Sequence, residues 1–425
     1  MSYGRSVLVS IGFAGLMCTL ALANNVVIAR MVGPEGRGIY GLAVAIAALA
    51  APIASLGLGP ALTWQRGRDR PPSELEGLGL IVFGLISLLG LSLASGVRLL
   101  GEHTGVLVIV AAALIVPAQV HVELVRGLLL GDRRVLGYNL VAALQVAGLL
   151  TLNLVLLDRG ADWVLIDLVL AHWLAALGLL GLRPRLLASP PRWPSPALIR
   201  ESLAYGRGAA MLALVDVGLL RLDLLIAAPA LGLPALGVYA IADQIAQLLA
   251  WGGLLAGKMM LPESAGDPEG RRSFDKLGLA CRLQLASLVI AGVLLSLIGR
   301  PLIVLLFGPA FDQAWLLLVI LMPAAIARSL ASLISTWLAG RGIQAPLVRL
   351  GAIAIAVEIV GVLALIPWLG PVGVALGKSL AYLVQLGLVL RVVRAHQAAR
   401  LRWLLDRDDR LALRRWFANA RQRSP

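Results

Sequence analysis

Seven ionisable side chains lie inside stretches of this sequence that are otherwise apolar: Asp216, Arg221, Asp223, Asp243, Arg328, Glu358 and Lys378. An unpaired charge at the centre of a bilayer costs roughly 2.5–3.5 kcal/mol on insertion scales. Such groups therefore form ion pairs, become neutral or line a water-filled cavity. Two chemistries follow from their types: the cations could attract phosphate oxygens, and the acids could bind a proton or a cation.

The spacing of the charges suggests partners. Asp216 and Asp223 are seven residues apart and share a helix face, whereas Arg221 points to the opposite side. Arg221, Asp223, Asp243 and Lys378 fall at a similar depth of their spans, which favours ion pairs between the seventh, eighth and twelfth spans.

Arg328 and Glu358 lie near mid-depth of spans ten and eleven and could form a further pair. The residues leave open whether these charges are salt bridges that hold helices together or members of a cavity wall. In the second case Arg221, Arg328 and Lys378 would bind an anionic substrate, and the four acids would supply cavity charge or a site for a coupling ion.

The first half of the chain is less charged. Asn24 and Asn25 lie deep in the first span, where they could donate hydrogen bonds to a sugar or to a neighbouring helix. His121, Glu123 and Arg126 are more peripheral, near the end of the fourth span.

The amino-acid composition indicates that this chain resides in a membrane. Hydrophobic residues make up 59% of its 425 residues and charged residues 14%, with a mean hydropathy of +0.89. An ordinary soluble domain is roughly 45–50% apolar. Continuous runs long enough to span a membrane predict an all-α integral membrane protein of about twelve helices, at 6–30, 39–63, 77–98, 106–129, 137–157, 162–182, 202–228, 236–259, 277–298, 313–339, 346–367 and 371–392.

The net charge of +14 is explained by topology. With a cytoplasmic N-terminus, most Lys and Arg residues fall on the cytoplasmic side, as the positive-inside rule requires. Both termini are therefore predicted to be cytoplasmic, and the basic surface is expected to face anionic lipids rather than nucleic acid. The outer side receives only Arg30, Arg37, Arg98, Arg159 and Arg300.

The chain divides into two halves that resemble each other. A Pro-rich stretch, residues 183–201, separates six spans in residues 1–182 from six in residues 202–392. "GIYGLAVAIA" after the first span matches "GVYAIADQIA" after the seventh at five of ten positions. Paired bundles that rock about a central site are a common transporter plan. Residues 393–425 form a basic tail in which Leu401, Leu404, Leu405, Ala412 and Trp416 share one helical face, so the tail could lie on the inner leaflet.

Enzymatic chemistry is not indicated. The histidines lack metal-ligand spacing, no phosphate-binding glycine loop is present, and the outer loops are too short for a catalytic segment. We expect no catalytic residue, metal or cofactor. Cys18 and Cys281 are expected to be packing residues.

One region carries a family resemblance. "VIARMVGPEGRGIYGLAVAIAALAAPIASLGLGPAL", "RLDLLIAAPALGLPALGVYAIA" and "LFGPAFDQAWLLL" resemble segments of the polysaccharide transporter, or O-antigen flippase, family. That family belongs to the superfamily that also contains multidrug extruders. The resemblance implies a V-shaped, two-lobed protein that moves undecaprenyl-diphosphate-linked oligosaccharide from the inner to the outer leaflet of a bacterial plasma membrane by alternating access.

The resemblance places Arg30 in the family's N-terminal pattern and adds it to the candidate substrate-binding residues. It also suggests a polysaccharide polymerase and glycosyltransferases as partners. The leading alternative is a cation-coupled drug exporter, coupled to protons or sodium ions. Drug extruders of this superfamily use an acid in their first helix, whereas residues 6–34 contain no Asp or Glu.

Overall fold

A computed structural model describes residues 3–99, 101, 103–156, 163–186, 190–265, 267, 271–343, 345–396 and 403. Those residues form twelve α-helices and no strand. The helices are α1 Tyr3–Ser55, α2 Leu58–Gly67, α3 Pro72–Arg98, α4 Thr104–Gly131, α5 Val135–Leu156, α6 Val164–Leu186, α7 Pro196–Leu231, α8 Leu233–Ala265, α9 Arg271–Phe307, α10 Ala314–Gly340, α11 Ala345–Leu369 and α12 Pro371–His396. The predicted all-α class is confirmed.

The first two predicted spans are joined by a break within one helix, whereas the sequence predicted a loop between them. α1 continues through both, and its only break is at Gly33, whose φ of 66° and ψ of −169° lie outside the helical region. Glycine adopts this backbone without steric cost, and Pro34 suits the first turn of the helix that restarts. The loop expected over residues 31–38 is therefore a single-residue break. The second span breaks again at Leu56 and Gly57, which have φ values of 49° and 67°, and finishes as α2.

Within the part of the chain that the structure describes, ten helices are long and apolar enough to cross a membrane, and the protein is therefore a multi-pass membrane protein. The first of the ten, Gly12–Ser55, has 44 residues and contains the Gly33 break. α7, which carries Asp216, Arg221 and Asp223, is not among them. We call the end of the bundle where α3, α7, α9 and α11 terminate the outer end, following the predicted topology.

Two apolar clusters form the core of the bundle. One lies mainly among α1 to α4 and α6, and it also includes Leu198 of α7. The second lies mainly among α7 to α12 and contains Tyr239, and it also includes Ala29 and Ala45 of α1. Both clusters therefore cross the predicted division. The division at residues 182 and 202 stays a prediction.

The halves touch at both ends of the bundle through pairs of glycines. At the outer end, Gly38 of α1 faces Gly237 of α8, and a Cβ on Gly237 would overlap the carbonyl oxygen of Pro34. At the opposite end, a Cβ on Gly57 would overlap the carbonyl oxygen of Gly206 in α7. Only glycine permits such close backbone approach. The described helices of the two halves are therefore in close backbone contact at both ends of the bundle.

The connecting stretch and the tail are described only in part. Residues 190–195 are not helical, and α7 begins at Pro196, inside the predicted linker. The linker docks on the start of α3, where the Arg192 amide donates to the Ser73 carbonyl (2.9 Å) and the Ser195 amide to Glu74 (3.0 Å). The predicted amphipathic face of the tail lies outside the described residues.

Candidate functional site

A cluster of buried charges joins three helices of the second half. The Lys378 ammonium of α12 lies 2.7 Å from Asp223 of α7 and 2.8 Å from Asp243 of α8. All three side chains are at most 3% exposed. These are the helices among which the sequence suggested ion pairs. The Tyr239 hydroxyl donates to Asp223, and the Gln247 amide donates to Asp243.

This cluster has a structural role in the described conformation. Buried charges persist when they are paired and hydrogen-bonded, because each has lost its hydration. Lys378 also donates to the Leu220 carbonyl at 3.3 Å, so its ammonium is surrounded by acceptors. Its role as a substrate-binding residue stays a prediction, and binding would require the two aspartates to release it.

Glu358 of α11 lies beside the cluster but takes no part in its hydrogen bonds. Its side chain is fully buried, and neither carboxylate oxygen has a hydrogen-bond partner. It interacts electrostatically with Asp223, Asp243 and Lys378. The pair that depth suggested between Glu358 and Arg328 is absent from the described residues, because Glu358 faces the Lys378 side and Arg328 does not reach it.

Arg328 of α10 instead lines a cavity of about 400 Å³ together with Asp216. The cavity has polar groups from Ser332, Ser335, Thr336 and Gln385. The Arg328 guanidinium lies 6.0 Å from the Tyr382 ring, and its Nη1 is buried without a hydrogen-bond partner. Arg328 thus has unused donors beside hydroxyl and amide groups, an arrangement suited to a hydrated or anionic ligand.

Arg221 of α7 lies close enough to α1 to interact electrostatically with Arg37 and Tyr40, although Arg37 is expected from the sequence in an outer loop. Arg37 of α1 is 3% exposed, and its Nε and Nη1 atoms have no hydrogen-bond partner. It interacts electrostatically with Arg221 and Asp243, and the Tyr40 ring lies 5.3 Å from its guanidinium. Among the described residues neither arginine forms an ion pair.

The burial of Arg37 follows from the continuity of α1. Because α1 restarts immediately after Gly33, Arg37 lies in the first turn of its second segment and faces α8. A Cβ on Gly41, one turn later, would lie 3.2 Å from Arg37 Nη1 and 3.6 Å from Ala240. The sequence signal that could have found it is its position immediately before Gly38, the first residue of the repeated motif.

The three first-helix candidates have protein partners. The Asn153 amide of α5 donates to Asn24 at 2.5 Å, and the Asn25 amide donates to the Ala21 carbonyl at 2.7 Å. Asn25 Oδ1 is buried without a partner. Arg30 donates to the Leu305 and Leu306 carbonyls, the latter at 2.8 Å. Arg30 therefore satisfies terminal carbonyls of α9 and ties the two halves at the outer end. A substrate role for these three residues stays a prediction.

Comparison with known proteins identifies the family. A sequence model described as "Polysaccharide biosynthesis protein" matches residues 4–254. A search of curated proteins found no match. Among solved structures, the chain resembles the lipid II flippase MurJ in an inward closed conformation, with a TM-score of 0.76, 13% identity and coverage of 91% of this chain and 87% of that one.

Two conformations of a multidrug resistance MATE transporter of the MOP superfamily are also similar. The inward-facing structure has a TM-score of 0.67 and 16% sequence identity. The match covers 92% of this chain and 98% of the transporter chain. The outward-facing structure has a TM-score of 0.63 and 16% sequence identity. The match covers 92% of this chain and 95% of the transporter chain. At these identities the likeness shows the fold alone, which this chain shares with MurJ and with MATE transporters. Because the family model covers more than half of the chain, the chain belongs to the polysaccharide biosynthesis protein family.

Proposed function

We propose that this protein moves an undecaprenyl-diphosphate-linked oligosaccharide from the inner to the outer leaflet of a bacterial plasma membrane. The family membership and the flippase-like fold support this function. In this proposal both termini are cytoplasmic, no residue acts as a catalyst, and a polysaccharide polymerase and glycosyltransferases work with the exporter.

The observation that carries the proposal is the position of Arg37 and Arg221 between the two halves. Two neighbouring cations repel each other, and the buried donors of Arg37 lack acceptors. A diphosphate would satisfy both, because guanidinium groups bind phosphate oxygens through paired hydrogen bonds. A sugar and a diphosphate cannot cross roughly 30 Å of hydrocarbon unaided, so a cationic path that replaces their hydration is what a flippase needs.

The contacts between the halves fit alternating access. The Gly38–Gly237 contact closes the outer end, and the Gly57–Gly206 contact closes the cytoplasmic end. Transport would require these contacts to separate in turn. Arg328, with its cavity, would join the polar path in the second half.

A drug exporter is the second candidate, favoured by the fold it shares with MATE transporters and by the buried acids beside Lys378. In either function Glu358, Asp223 or Asp243 could bind a coupling proton or sodium ion. The absence of Asp and Glu from residues 6–34 of the sequence favours the flippase.

Deletion of the gene, followed by analysis of undecaprenyl-linked glycans, tests the proposed function. We expect one lipid-linked oligosaccharide to accumulate on the cytoplasmic leaflet and surface polysaccharide to fall. Unchanged lipid-linked glycans together with altered export of cationic dyes would overturn the flippase in favour of the exporter.

A further inference from the structure

A second pocket lies at the cytoplasmic end, where residues of both halves meet. Six of the residues that line it are Thr63 and Trp64 of α2, Glu123 and Arg126 of α4, Tyr138 of α5 and Tyr205 of α7. We call it the aromatic pocket. Its volume of about 380 Å³ lies within the roughly 300–1,000 Å³ of small-molecule sites.

Aromatic rings form the walls of the aromatic pocket. Trp64 stacks on Tyr205 with ring centroids 4.7 Å apart and planes 11° from parallel, and the Arg68 guanidinium lies 4.7 Å from the centre of the Trp64 ring. Because Trp64 belongs to the first half and Tyr205 to the second, this stack is part of the contact that closes the cytoplasmic end. Tyr205 is 42% exposed, so one part of its ring is open to a ligand.

Two polar groups are aimed into the same space. The Arg126 guanidinium lies 4.2 Å from the centre of the Tyr138 ring, and its Nε is buried without a hydrogen-bond partner. Glu123 lies on the same helix, three residues before Arg126, and packs over Gly59, where a Cβ would come within 2.8 Å of its carboxylate. Thr63 is already committed, since its hydroxyl donates to the Gly127 carbonyl at 2.8 Å.

This combination fits a sugar ring. The exposed part of the Tyr205 ring can pack against the apolar face of a pyranose, while a carboxylate and a guanidinium bind its hydroxyl groups from the edge. A free phosphate would be repelled by Glu123, and a cationic drug would be repelled by Arg126. A neutral ring rich in hydroxyl groups satisfies both side chains.

We propose that the aromatic pocket binds a sugar of the substrate head group at the cytoplasmic end, before the sugar passes between the halves. The inference rests on the proposed function and deepens it by adding a site that reads the glycan, separate from the arginines that face the diphosphate. When the cytoplasmic end opens, the stacked faces of Trp64 and Tyr205 part and become available to the same sugar.

A binding measurement on the purified full-length protein tests the pocket without requiring transport. A panel of soluble methyl glycosides is titrated by saturation-transfer NMR against the wild type, Tyr205→Ala, Tyr205→Phe, Glu123→Gln and, as a control, Trp368→Ala. Trp368 is an aromatic residue that is 85% exposed at the outer end. We expect Tyr205→Ala and Glu123→Gln to weaken binding about three- to ten-fold, and Tyr205→Phe and Trp368→Ala to keep it. Equal binding by all variants, or no binding by the wild type, would overturn the pocket.

A transport assay separates this inference from the proposed function. Proteoliposomes are loaded with undecaprenyl diphosphate that carries either one sugar or none. We expect Tyr205→Ala to slow transport of the glycosylated lipid more than transport of the bare diphosphate. Equal slowing of both lipids would assign Tyr205 to the closing contact and overturn sugar recognition, whereas a wild type that moves neither lipid would overturn the proposed function.

Discussion

Gly38 and Gly237 lie against each other at the outer end of the bundle, each at the start of its copy of the repeated motif. A Cβ on Gly237 would come within 2.9 Å of the Gly38 amide nitrogen. The first residues of the two copies of the repeated motif thus contact each other where the two halves meet.

Gly237→Ala is expected to open the outer end, because the added methyl group cannot fit between the two backbones. Spin labels at positions 99 and 368, both exposed at the outer end, measure the separation of the halves after Cys18 and Cys281 are replaced. We expect the mean label distance to increase. Gly148→Ala is the matched control, since a Cβ there meets nothing within 4 Å. An unchanged distance in Gly237→Ala would show that the contact does not hold the halves together.

Lys378→Met is expected to lower the free energy of unfolding by about 3–5 kcal/mol, because it leaves Asp223 and Asp243 buried without a cation. The thermal unfolding midpoint in detergent measures the loss. The combined variant Lys378→Met, Asp223→Asn and Asp243→Asn should regain most of it, since neither position 223 nor position 243 then carries an unpaired buried charge. A single variant as stable as the wild type would contradict the structural role of the cluster.

Arg328→Gln is expected to slow transport several-fold while the unfolding midpoint stays near that of the wild type. Arg328 is unlike Lys378 because it lines a cavity and forms no ion pair in the described residues. Arg349→Gln, at an exposed position of α11, is the control. Full transport activity in Arg328→Gln would remove the cavity from the substrate path.

Arg30→Ala is expected to loosen the end of α9, because the Leu305 and Leu306 carbonyls lose their donor. A cation at a helix C-terminus contributes roughly 0.3–1 kcal/mol. Hydrogen exchange of the amides of residues 303–311 should become faster. Arg300→Ala removes an exposed pair with Asp312 on the same segment and should change the exchange less. Equal exchange in both variants would argue against Arg30 as a tie between the halves.

The all-α class and the approximate positions of the helices were predictable from the sequence, because the length of each apolar run reports directly on the membrane. The ion pairs of Lys378 were also predictable, since depth along each span restricts which charges can meet. The burial of Arg37 was not predictable. Its burial depends on whether residues 31–38 form a loop or a one-residue break, and hydropathy does not distinguish the two.

Contacts across the boundary between the halves were the hardest to predict. Trp64 and Tyr205 are far apart in the chain and belong to different bundles, so no helical periodicity relates them. The suggested pair of Arg328 and Glu358 was wrong for a related reason: similar depth places two groups in one layer of the membrane but does not fix the direction in which each helix faces.

The most direct test of the diphosphate path is the rate at which purified protein moves undecaprenyl-diphosphate-linked oligosaccharide across proteoliposomes. Arg37→Gln and Arg221→Gln are compared with the wild type and with Arg98→Gln, a variant of an exposed arginine at the end of α3. We predict that both interface variants lose at least about ten-fold in rate, the equivalent of about 1.4 kcal/mol, while Arg98→Gln keeps the wild-type rate. Wild-type rates in both interface variants would contradict the account.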